Sequence, residues 1–87
     1  MNSLAIAELR RQIDTLDAQI AELIFRRIEV SNSVMKSKPP EQILDLSREQ
    51  EIENLYNGRL SPVSTPQRTK QLVRAILAAS ALYPSQS

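Results

Sequence analysis

The chain contains no cysteine and no histidine among its 87 residues. Disulfides, thiol nucleophiles, the usual zinc ligand sets and the commonest general base at neutral pH are therefore excluded. Aromatic residues are scarce, with one Phe and two Tyr, and offer little for stacking on nucleic-acid bases. Charge of neither sign predominates: 11 Lys+Arg stand against 10 Asp+Glu, for a formal net charge of +1. A polyanionic partner is not expected on that balance, and any anion site must be local. Apolar residues make up 41% of the chain, yet they come in periodic blocks and never in the run of about eighteen needed to cross a bilayer. Residues 1–11 show no basic region followed by an apolar core and a small-residue cleavage site, so no secretory signal is read and a cytoplasmic location is expected.

What is present is helical periodicity. Eighty-seven residues make one domain, 1–87, and a chain of this size buries only a modest core by itself, so a second copy is expected. From Ser3 to about Lys38 there is no Gly and no Pro, and Leu9, Ile13, Leu16, Ile20 and Leu23 recur at alternating steps of four and three. This predicts one helix over 3–38, about 50 Å long at 1.5 Å per residue, whose heptad stripe needs a partner chain to cover it. Pro39-Pro40 ends it, because the first ring disfavours a helical Lys38 and neither proline can donate a backbone hydrogen bond. A second, charged helix is expected over 46–57, with Ser47-x-x-Gln50 as a capping box and Asn57-Gly58 as its end. After a turn from Gly58 to Ser64, Thr65-Pro66 reads as an N-cap followed by proline at the first helical position. The third helix, 66–83, carries Leu72, Val73, Ile76, Leu77 and Ala79. No strand pattern and no repeat is seen, and the fold class is all-α.

Polar residues stand where the periodicity calls for apolar ones. Four residues beyond Leu23 the stripe lands on Arg27, after which Val30 and Val34 resume it. A guanidinium facing a core needs an anion, since an unpaired charge in a desolvated site costs several kcal/mol. That anion is either a carboxylate from another helix or one belonging to a ligand. Beside the stripe runs the row Arg10, Asp17, Ile24, Ser31 and Lys38, spaced by sevens. Arg10 and Lys38 lie about 42 Å apart along one helix, so one small ligand cannot touch both within a chain. Two copies crossing antiparallel would bring Arg10 of one near the Arg27 to Lys38 region of the other, giving two equivalent shared pockets. Taken singly, Arg10 and Lys38 are ordinary surface charges. In the second helix Arg48, Ile52 and Leu55 fall on one face with Glu49 beside it. In the third, Ser80 continues the row Val73, Leu77, and its hydroxyl either joins a pocket or bonds back to its own helix.

These residues resemble a known family. Leu9-Arg10-x-x-Ile13-Asp14-x-Leu16-Asp17, then Arg27, Lys38 and Asp45-x-x-Arg48-Glu49, are similar in order and spacing to the all-helical chorismate mutases, over nearly the whole chain. The resemblance implies a three-helix protomer interlocked as a homodimer, and the rearrangement of chorismate to prephenate in aromatic amino acid biosynthesis (the shikimate pathway), with no metal, cofactor or nucleophile. It further implies that Arg27 and the partner's Arg10 bind the two substrate carboxylates, supported by Arg48 and Ser80. Lys38 would hydrogen-bond the ether oxygen, and Glu49 with the backbone at Asp45 would hold the ring hydroxyl. Two departures stand out. Where the family usually carries Gln or Glu as a second donor to the ether oxygen, this chain has Pro84, and the connection from Lys38 to Asp45 is shorter than in familiar bacterial members. Three readings follow: a chorismate mutase; an isochorismate pyruvate lyase or a mutase for an amino-deoxychorismate on the same fold; or a weakly active helical dimer that binds a chorismate-like ligand or a protein partner.

Overall fold

The computed structural model describes residues 3–37 and 46–80, and within them the architecture is three helices in the order α1 (Ser3–Ser37), α2 (Leu46–Leu60) and α3 (Pro66–Ser80). No strand occurs among the described residues, so the all-α expectation holds. The prolines at 39 and 40, the connection to Asp45 and the tail beyond Ser80 lie outside the described residues.

α1 runs unbroken through 35 residues, as expected of a stretch with no Gly or Pro. α2 extends three residues past the expected end. Asn57-Gly58 does not terminate it: Gly58 keeps ordinary helical backbone, with no positive φ, and nothing lies within 4 Å of the place its Cβ would occupy. The stop comes from Ser61-Pro62, where the ring cannot donate and disfavours a helical residue before it. The carbonyls left at the end of α2 are taken up by the turn, with Ser61 N–H donating to Asn57 O at 3.0 Å and Ser64 N–H to Leu60 O at 2.8 Å. Ser47 lies inside α2, and Gln50 donates through Nε2 to Asn54 Oδ1 at 3.0 Å. The expected Ser47–Gln50 capping box is therefore replaced by a helix that starts one residue before Ser47.

The start of α3 is as expected. Thr65 Oγ1 accepts from the Arg68 N–H at 3.2 Å, Thr69 N–H donates to Thr65 O at 3.0 Å, and Pro66 sits where its missing donor costs nothing. Thr69 Oγ1 then donates to Ser64 Oγ at 3.3 Å, tying the turn to the helix. The most buried described side chains follow from there: Thr69 at 1% exposed and Val73 at 2% on α3, with Ile52 at 9% on α2.

α3 packs against both other helices, whereas α1 and α2 do not meet among the described residues. The turn of 61–65 is short and its two helices are in contact, so α2 and α3 form an antiparallel hairpin. Apart from Ile6, the half-buried side chains of α1 gather towards its C-terminal end at Ile24, Arg27, Ile28, Ser31, Asn32 and Met35. Its heptad stripe is bare: Leu9, Ile13, Leu16, Ile20, Leu23, Val30 and Val34 are each between 45% and 65% exposed. The chain accordingly measures 56 × 26 × 19 Å, with a radius of gyration of 16.6 Å where a compact domain of this length has about 12 Å. No described helix is long and apolar enough to cross a membrane. α3 carries Arg68, Lys70 and Arg74 and no acidic residue. All three are exposed and without ion pairs among the described residues.

Thr65→Ala removes the one side-chain acceptor at the head of the helix that touches both others. It is expected to cost about 1 kcal/mol and lower Tm by about 4–8 °C, read from a thermal melt of the wild-type and variant proteins. An unchanged Tm would show that the turn alone anchors α3.

Candidate functional site

The site expected from the sequence draws on all three helices. On α1, Arg27 interrupts the apolar stripe and is half-buried, so its charge sits where the helix begins to be covered. Arg10 is exposed, seventeen residues earlier, or about 25 Å along the axis at 1.5 Å per residue. The two cannot reach one small molecule from the same helix, as the spacing already required.

On α2 Ile52 is buried, and Glu49, Glu53, Tyr56, Asn57 and Leu60 are half-buried. The inner face is thus centred on Ile52 and Tyr56, and Glu49 belongs to it. Arg48 lies at its margin, exposed, with Nη1 3.7 Å from Glu51 Oε2. That ion pair is solvent-facing and worth well under about 1 kcal/mol. Leu55 is 64% exposed, which takes it off the inner face on which periodicity had grouped it with Arg48. The side chain of Ser80, and all of Lys38, Asp45 and Pro84, lie outside the described residues.

The arrangement therefore brings Glu49 and Arg48 to the α2 end of the hairpin and Arg27 to the covered third of α1, and leaves Arg10 apart. A concavity along the middle of α1, lined by Asp14, Thr15, Ala18, Gln19, Glu22 and Leu23, is a different place. It holds two carboxylates and no cation, which repels a dianion. Two polar residues near Arg27 were not singled out from sequence as site residues. Ser31 is half-buried one turn further on, and Asn32 Oδ1 is buried without a hydrogen-bond partner among the described residues. Ser31 was visible in the row of sevens, but periodicity reports only direction and not whether a hydroxyl is already bonded.

Chemically, guanidinium groups that converged with one carboxylate would suit a small anion that also carries a hydroxyl. The guanidinium groups would hold carboxylates in bidentate fashion, and the Glu49 carboxylate would accept from the hydroxyl.

The profile of the family described as chorismate mutase type II matches residues 9–84 of the chain. No curated protein and no solved structure matches it. Arg27→Leu is expected to change Tm little, because leucine continues the apolar stripe and a hydrophobic replacement of a half-buried charge is often neutral. The same change should abolish the rise in Tm that a saturating cyclic dicarboxylate gives the wild-type protein. A fall in Tm with the ligand-induced rise intact would make Arg27 half of a structural ion pair.

Proposed function

The chain belongs to the chorismate mutase type II family, and from that premise we propose that it rearranges chorismate to prephenate in two equivalent pockets, each shared between the subunits of a homodimer. The observation that carries the reading is the co-occurrence of the family match with Arg10, Arg27, Lys38, Arg48 and Glu49 in the family's order. A helical protein with a purely structural role has little reason to gather four cations about one acid.

The bare stripe of α1 supports the dimer. Burying the remaining half of seven Leu, Ile and Val side chains is worth roughly 1 kcal/mol each, about 7 kcal/mol per chain before the cost of association. That rivals the whole net stability of a small domain. The chain exposes 7310 Å², against about 5200 Å² for a compact monomer of this mass, and the excess is in the range that an obligate interface removes. With the two stripes crossed antiparallel, Arg10 of the partner subunit comes to the Arg27 end of α1, and the 25 Å gap within one chain disappears.

The reaction breaks the carbon–oxygen bond of the ether and forms a carbon–carbon bond within the same molecule. No proton, electron or leaving group passes to the protein, so a chain without Cys or His suffices. Arg27 and the partner's Arg10 hold the two carboxylates and select the compact pseudo-diaxial conformer, an orientation effect. Arg48 and Ser80 support that grip, Glu49 and the backbone at Asp45 hold the ring hydroxyl, and Lys38 donates to the ether oxygen as negative charge gathers there. The substrate is a soluble metabolite, consistent with a cytoplasmic enzyme of aromatic amino acid biosynthesis.

Pro84 favours a second reading. Standing where the family has a second donor to the ether oxygen, it removes a contact worth about 2–4 kcal/mol of barrier lowering in comparable settings. An isochorismate pyruvate lyase, or a mutase for the amino analogue of chorismate, shares the dicarboxylate clamp and differs in such finer contacts.

Incubation with chorismate, isochorismate and aminodeoxychorismate in separate reactions separates these readings. Prephenate from chorismate is expected, whereas pyruvate from isochorismate or turnover of the amino compound alone would transfer the assignment to a sibling enzyme. Shared pockets are tested by mixing Arg10→Ala with Arg27→Ala chains, each inactive alone. Random exchange makes half the dimers mixed, each with one intact site of two, so about a quarter of wild-type activity should return. No recovery despite verified exchange would confine the site to one subunit.

A further inference from the structure

Hydroxyls inside helices ordinarily bond back to the carbonyl one turn earlier, and α1 follows that habit at three positions. Thr15 Oγ1 donates to Arg11 O at 3.1 Å, Ser33 Oγ to Glu29 O at 3.2 Å and Ser37 Oγ to Ser33 O at 2.9 Å. Ser31 breaks it. Its hydroxyl makes no hydrogen bond among the described residues, although the residue is half-buried and the i−4 carbonyl, that of Arg27, lies one turn below. A hydroxyl that makes no bond within the chain, on a half-buried residue, is open to donate to a bound molecule.

Its position narrows what that is. Ser31 follows Arg27 by four residues, so the two fall on one side of the helix, and in the sequence it stands between Arg27 and Lys38, seven residues before the latter. On the mutase reading proposed above, on which this inference rests, Arg27 holds a substrate carboxylate and Lys38 the ether oxygen. Pro84 supplies no second donor to that oxygen. Asn32, the neighbouring polar residue, points elsewhere: it is offset from Ser31 by one residue, about 100° around the helix.

We propose that the Ser31 hydroxyl donates a hydrogen bond to the ether oxygen of bound chorismate and fills the role that Pro84 leaves open. The side chain is short, with a single rotatable bond to its oxygen, and stands on a helix and not on a loop, so the donor is held in place before charge develops on the oxygen. That is the condition under which a donor lowers a barrier instead of merely tightening binding. Because the charge on the ether oxygen is larger in the transition state than in the ground state, the hydroxyl contributes to kcat and little to KM.

The experiment compares Ser31→Ala, Ser31→Thr and Ser33→Ala in the full-length protein, with prephenate formation and thermal melting as readouts. Ser31→Ala is expected to lower kcat about ten-fold or more with KM changed less than about two-fold. Its Tm should not fall, since alanine is the better helix former and no internal hydrogen bond is lost. Ser31→Thr keeps the hydroxyl and should retain much of the activity, and Ser33→Ala, whose hydroxyl is bonded to Glu29, should leave kcat unchanged. In a Pro84→Gln background, which restores the second donor, the loss caused by Ser31→Ala should shrink, giving a non-additive double-mutant cycle. An unchanged kcat in Ser31→Ala, a raised KM with kcat intact, or strictly additive losses with Pro84→Gln would each overturn the assignment. Absence of prephenate from the wild-type protein would remove the mutase reading itself, a failure distinguishable from the others because no variant is needed to see it.

Discussion

A helix of 35 residues presents a seam about 50 Å long, and the two helices that follow it, of 15 residues each, span about 22 Å apiece. The chain cannot cover its own first helix. Only the last third of α1 has half-buried residues in quantity, and the described core beyond it amounts to Ile52, Thr69 and Val73. Everything else in the molecule is arranged around that shortfall. α3 is the one element that touches both others, and its fixed start at Thr65-Pro66 determines where the hairpin lies. The stripe from Leu9 to Val34 is left bare, as a surface to be buried by something of matching length and periodicity, and an identical helix is the simplest object that has both.

The same geometry explains why the candidate site stands where it does. A cation buried within a continuous apolar seam would be a net burden, while a half-buried one can be desolvated enough to grip an anion and still be reached from outside. Arg27 is half-buried in this way, with Val30 and Val34 beyond it in the stripe exposed. In the site proposed, Glu49, on the inner face of α2, and Arg48, at its margin, would add an acceptor and a further guanidinium from a second helix. No group in the set is required to titrate during the reaction proposed, and the demands on the protein reduce to holding charges and dipoles at fixed separations. Helices held by short turns meet that demand with little material.

Periodicity carried much of this and failed in identifiable places. The long first helix, the bare stripe, the interruption at Arg27 and the Thr65 cap could all be read directly, because each rests on a strong local rule: absence of breakers, heptad spacing, or the preference of threonine followed by proline for a helix start. α2 was harder. Its fifteen residues include Arg48, Glu49, Glu51, Glu53 and Arg59, so its apolar pattern is thin, and grouping Arg48 with Ile52 and Leu55 chose the wrong side of Ile52. The inner face runs instead through Glu49, Glu53 and Tyr56. Gly58 looked like a stop signal, but glycine permits a left-handed cap without demanding one, and Pro62 supplied the actual barrier. Ser31 shows a different limit. Its direction was readable from the row of sevens, whereas the state of its hydroxyl depends on which of several acceptors the rotamer meets, and that is settled only in three dimensions.

The uneven distribution of charge along the three helices has a consequence for kinetics. α1 carries five basic and five acidic residues, α2 two and three, and α3 three basic residues with none acidic, so a nearly neutral chain concentrates positive charge on α3, with Lys70 and Arg74 on one side of the helix and Arg68 on another. An anion in solution feels such an uncompensated group of charges at distances comparable to the Debye length, about 10 Å at moderate ionic strength. For a dianionic substrate of the kind proposed, the rate of encounter would then fall with added salt even where the chemistry that follows did not.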